Sequence, residues 1–114
     1  MSEYRIPLQI VLYQDQGEWV AHCLNFDIAG DGATVEEALR RLTEAIGIQV
    51  EETFKHGNVD NLFSPAESKF WRMFAEGKDV VHGELELSTN RVIIESTETR
   101  EYVGRDLTGD LVSA

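Results

Sequence analysis

The stretch that decides the fold is residues 18–50, EWVAHCLNFDIAGDGATVEEALRRLTEAIGIQV, because its hydrophobic period changes partway. From Trp19 to Ile28 apolar residues recur at about every second position, the spacing of a half-buried strand. From Val35 they fall at Val35, Ala38, Leu39, Leu42, Ile46 and Val50, which is one face of a helix. Gly30-Asp31-Gly32 lies between the two regimes and reads as the turn that joins them. Thr34 is placed to cap the helix, with Glu37 three residues on to complete a capping box.

Upstream, residues 4–13 read as a strand with Ile6, Leu8, Ile10 and Leu12 on one face. Pro7 removes a backbone donor near its start, which points to an edge position. Residues 14–17 form a turn, and Trp19 to Leu24 return with Trp19, Ala21 and Cys23 inward. Asn25 interrupts, and Phe26 to Ala29 make a third short strand, completing an antiparallel meander. The helix from Val35 to about Phe54 should cover the inner face of that sheet. Gly47 inside it costs about 1 kcal/mol against alanine, a cost that close backbone approach would explain. Ile48 lies nearly opposite the apolar stripe, beside Glu37, Arg41 and Glu44. It is either a single exposed apolar residue or a contact with something added later; we read it as a contact.

Downstream, Ser64-Pro65-Ala66-Glu67 reads as the start of a second helix, residues 64–77. It carries Phe70, Trp71, Met73 and Phe74, more apolar arc than one buried face needs. Either it is sandwiched within the monomer or part of it meets another chain, so Phe70, Trp71 and Phe74 join Ile48 as candidate partner or oligomer contacts. Packing over the first helix is the expected arrangement. Residues 83–96 read as a hairpin turning at Thr89-Asn90, with Leu87 opposite Val92 and Leu85 opposite Ile94. Residues 104–114 read as a loose tail. The fold class is thus α+β: a three-stranded antiparallel meander packed by one long helix, plus a short helix and a C-terminal β-hairpin.

At 114 residues the chain reads as one domain with a modest core. It has no apolar run of the roughly 20 residues a membrane span needs, and its start lacks a secretory pattern. The single cysteine, Cys23, fits a reducing compartment, and the cytoplasm is the expected location. A formal charge of −11 argues against a phosphate-binding surface and suits a basic protein partner. His22 and Cys23 are neighbours in a strand, so they face opposite ways and form no catalytic dyad. No histidine has metal-ligand spacing with a second His or Cys. Residues 25–36 match a calcium loop in part, but Ala29 stands where an oxygen ligand is required. No catalytic, cofactor-binding or metal residues are expected.

The central stretch resembles the HicB antitoxin family. The resemblance rests on Trp19-Val20-Ala21, Cys23-Leu24, Gly32, Thr34 and Glu36-Glu37-Ala38-Leu39, with Glu44-Ala45-Ile46 continuing it. It covers about residues 4–54, within a core of 4–57, and consists mostly of scaffold positions. Residues 70–74, Phe-Trp-Arg-Met-Phe, are similar to the continuation of some standalone members. The resemblance implies a partial RNase H-like fold: three antiparallel strands, a helix and a further strand. It also implies an antitoxin that neutralises a small basic, HicA-like mRNA-cleaving toxin by contact. Residues 78–114 show no basic helix pair of the kind many members use on operators, so no direct DNA binding is expected. RNase H chemistry needs a metal-binding carboxylate on the first strand, and residues 5–13 contain none. The alternative reading is a solitary, self-associating HicB-like protein, dimer or higher, without a cognate toxin.

Overall fold

The computed structural model describes residues 4–57, 63–80 and 92–103. Their elements in chain order are β1 (Tyr4–Asp15), β2 (Glu18–Cys23), β3 (Ile28–Gly32), α1 (Val35–Lys55), α2 (Ser68–Glu76), β4 (Lys78–Val80) and β5 (Val92–Glu101). The five strands form one mixed sheet in the order β3-β2-β1-β5-β4. The class is α+β, as expected. β1 pairs antiparallel with β2, and β2 with β3, while β5 lies parallel to β1.

β1 is the middle of this sheet, which corrects the edge position inferred from Pro7. The ladder accommodates the proline by a register shift between Ile6 and Pro7, where β5 carries an extra residue. The β1–β2 turn is made by Gln16 and Gly17, both at positive φ, as a tight two-residue hairpin demands. Ile10↔Cys23 and Leu12↔Ala21 set the expected inward residues side by side. Leu8, Ile10, Leu12, Ala21 and Cys23 then meet Ala38, Leu42, Ile46 and Val50 of α1 in one apolar layer.

The Gly30–Gly32 stretch is not the turn between strand and helix; it is β3 itself. The two glycines let the helix approach. A Cβ on Gly30 would lie 2.7 Å from the Ala38 carbonyl oxygen and closer still to the Leu42 backbone nitrogen. On Gly32 it would meet the Glu37 side chain at 2.8 Å. Gly47 has the opposite surroundings: a Cβ there would meet nothing within 4 Å, so close approach does not explain this glycine. Thr34 caps α1 as expected, its Oγ1 accepting from the Glu37 N–H at 3.1 Å. The Glu37 carboxylate completes no capping box; it meets Arg41 at 3.0 Å instead.

α2 does not pack over α1. It lies on the opposite face of the sheet, where Met73 and Phe74 join Val11, Tyr13, Leu24 and Ala66 in a second layer. It also begins later than its sequence signals, at Ser68, with no side-chain cap. The Ala66 N–H bonds to the Leu24 carbonyl at 2.9 Å, which ties residues 63–67, outside helix and strand, to the sheet ahead of the helix. Arg100 fixes the other end of α2. Its guanidinium donates to the Phe74 carbonyl at 3.1 Å and lies 4.4 Å from the centre of the Phe74 ring.

The Thr89-Asn90 turn and Leu85 and Leu87 lie outside the described residues, as does the 104–114 tail. Among the described residues, β4 and β5 pair antiparallel, with Lys78 opposite Glu101 and Val80 opposite Thr99.

Candidate functional site

Three features of this sheet bear on function: a buried polar chain under α2, an open acidic surface beside it, and the outer edge of β3, unpaired among the described residues. The polar chain follows from register. Val11 opposes His22 and Tyr13 opposes Val20, so Tyr13 and His22 are diagonal neighbours on one face. The Tyr13 hydroxyl lies 3.1 Å from His22 Nδ1, and His22 Nε2 lies 2.7 Å from Asp27 Oδ1. An ionised carboxylate is acceptor-only, so it holds the imidazole proton on Nε2 and leaves Nδ1 to accept from the tyrosine. His22 is 5% exposed, and Phe70 closes over it at 4.4 Å and over Tyr13 at 5.8 Å between ring centres. Burial, with smaller contributions from the charges of Asp15 and Asp27, pushes the Tyr13 hydroxyl well above its ordinary pKa. Asp27 reaches His22 from a turn residue at φ +55°. The chain ties β1, β2 and the β2–β3 turn together, and its tyrosine has no phenolate character near neutrality.

Cys23 is on the other face, fully buried against α1. Burial pushes its thiol up to about 11, against the direction a nucleophile needs. Among the described residues no three His, Cys, Asp or Glu side chains are grouped to hold a metal ion.

Past Tyr13 and His22, the same face continues towards the β1–β2 turn as an open cleft lined by Asp15, Gln16, Glu18, Val20 and Asp31. Asp15↔Glu18 and Val20↔Asp31 are cross-strand neighbours, so the sheet itself gathers three carboxylates around one aliphatic side chain. Asp15 Oδ1 is shielded from solvent and has no hydrogen-bond partner. Asp31 has Arg41 at 3.6 Å, a partly exposed pair that neutralises little in water.

β3 ends the sheet on this side, and among the described residues nothing pairs with its outer edge.

The four contact residues nominated from sequence do not form one patch. Ile48 is 64% exposed on the outer surface of α1. Phe70 and Trp71 are half-buried on α2, across the sheet from it. Phe74 is 8% exposed and belongs to the core beneath α2, so its nomination as a contact is corrected. The sequence reading missed Asp27, Asp15 and the exposed ring of Phe63, which stands edge-on to Phe26 at the entry to β3.

No protein-family model matches this chain. No curated protein and no solved structure matches it either. What the arrangement can do is therefore argued from its own chemistry. Cross-strand carboxylates on a rigid sheet, beside a free strand edge, can attract and hold a cationic protein surface.

Proposed function

We propose that this chain is a HicB-type binding protein that neutralises a small basic, HicA-like mRNA-cleaving toxin by protein–protein contact, without catalysis. The observation that carries the reading is the β1-β2-β3-α1 unit with a later strand, β5, laid parallel against β1. That is the order a HicB-like chain would have, and the residues carrying the resemblance are the ones that build it. Thr34 caps α1, Gly32 admits it, and Ala21 and Cys23 receive it. The charge of −11 and the gathering of Asp15, Glu18 and Asp31 around one open cleft support a basic partner, whose encounter they would speed.

The test is co-expression with any small basic protein encoded beside this one, scoring growth and complex formation together. Restored growth with a stable complex is the expected result. A neighbour that neither binds nor harms the cell overturns the reading.

One observation favours a second reading. Ile48 and Phe63 leave 64% and 45% of their surface in water, as a chain that self-associates would. Light scattering that finds a monomer at on the order of 10 μM sinks this alternative.

A further inference from the structure

We propose that the outer edge of β3 is the attachment site, and that its occupant is an extended, basic strand of the partner, added to the sheet beside β3. The proposal rests on the binding-protein reading above and names the surface that reading leaves open.

An edge strand turns alternate backbone N–H and C=O groups away from its sheet, and proteins usually guard such groups. At the other edge of this sheet, β4 opens with Lys78. β3 lacks that device. Ile28–Gly32 contains no proline and no lysine, and its register to β2 runs without a bulge from Cys23↔Ile28 to Trp19↔Gly32.

The edge is also held rigid before anything binds. α1 lies directly against Gly30 on one side, and the His22–Asp27 contact clamps the turn that leads into the strand. A preformed edge loses little freedom on accepting a partner strand. Phe63 at the entry to β3 supplies an exposed aromatic ring beside it.

Charge selects the occupant. Asp27 precedes β3, Asp31 lies within it, and Glu18 and Asp15 continue the same surface. Two copies of this chain pairing antiparallel about Ala29 would set Asp31 against Asp27 of the other copy, and each copy carries −11. A strand bearing lysine or arginine meets carboxylates instead, with Asp31 exposed and held by the 3.6 Å contact to Arg41.

The probe is a synthetic octapeptide of alternating lysine and valine, titrated into the ¹⁵N-labelled protein and followed by NMR. An alternating glutamate–valine octapeptide is the control. The expected result is saturating shifts confined to residues 18–20 and 27–32, with slowed amide exchange in β3, for the basic peptide alone. Ala29→Lys places a guard on an exposed position of the strand and should weaken binding at least about tenfold. Shifts centred on Ile48 or on α2, or none at about 1 mM peptide, overturn the proposal.

The toxin assay separates this inference from the function it rests on. If the wild-type chain rescues growth and the Ala29→Lys, Asp31→Lys chain rescues equally well, the edge is the wrong surface and the function stands. If no toxic neighbour exists, the function falls, and the peptide titration still judges the edge.

Discussion

Replacing Gly30 by alanine adds one methyl group to the chain, at the place where α1 is closest to the sheet. An ideal Cβ there stands 2.7 Å from the Ala38 oxygen and 2.8 Å from the Arg41 carbonyl carbon, whereas ordinary contact begins near 3.4 Å. The opposing atoms are helix backbone, so no side chain can swing aside. The Leu42 nitrogen is closer still, so α1 must retreat by about 1 Å, and a gap of that size forfeits up to about half of the dispersion energy across it. Ala38, Leu42, Ile46 and Val50 are all fully buried through that contact. We place the loss at the upper end of the overpacking range, about 3 kcal/mol. Urea unfolding followed by tryptophan fluorescence reads it, Trp19 reporting on the α1 layer and Trp71 on the α2 layer. With a slope of about 1.5–2 kcal/mol per M, the midpoint should fall by about 1.5–2 M. The same substitution at Gly47 provides the opposite sign. Nothing lies within 4 Å there, so Gly47→Ala should stabilise the chain by about 1 kcal/mol. A Gly30→Ala protein within about 1 kcal/mol of wild type would refute the account of how α1 is seated.

Thr34→Ala removes the acceptor for the Glu37 N–H and should lower stability by about 1 kcal/mol in the same urea assay. The Cys23 thiol is raised from its ordinary 9.0 to about 11, so the unfolded chain loses its proton first as pH rises. Stability is then independent of this group below about pH 9 and falls by about 2 kcal/mol towards pH 11. Tyr13, raised in the same direction by burial, adds to the decline above about pH 10. Urea midpoints across the alkaline range should show a shallower slope in Cys23→Ala than in wild type. Arg100→Met keeps the alkyl chain and loses the bonds to the Phe74 carbonyl and Asp79. We expect about tenfold faster amide exchange in the last turn of α2, equivalent to about 1.4 kcal/mol of local stability.

The sequence made the α1 layer legible because its two periods are clean. Leu8, Ile10 and Leu12 alternate, Ala38, Leu42, Ile46 and Val50 repeat at helical spacing, and each pattern has one face. The second layer was harder to read. Val11 and Tyr13 are as buried as their neighbours, so residues 10–13 form an unbroken apolar run, the mark of a strand covered on both faces. Read as alternation alone, that run hid the place where α2 packs and suggested α1 as its support. Ser64-Pro65 signalled a helix start that a single tertiary hydrogen bond to Leu24 overrides. Of the candidate contacts, Ile48 stands out in the sequence because a lone isoleucine breaks a polar helix face, and the structure leaves that side chain exposed. Asp15, Glu18 and Asp31 were not, since cross-strand register gathers them and no local spacing announces it. The β3 edge has no sequence signal at all beyond its lack of lysine and proline.

The parallel partnership of β1 and β5 has a consequence for the order of events during synthesis. β1 leaves the ribosome ahead of β2, β3 and α1, whereas β5 follows α1 and α2. At about 5–20 residues per second, a few seconds separate completion of the β1-β2-β3-α1 unit from arrival of the strand that closes it. Throughout that interval the central strand of the finished sheet is an edge, with the backbone of Tyr4 to Leu12 unpaired on the side β5 will take. The nascent chain therefore presents two open edges where the mature fold has shut one of them. Its first risk of wrong pairing lies on β1, on the far side from the edge proposed to do its binding.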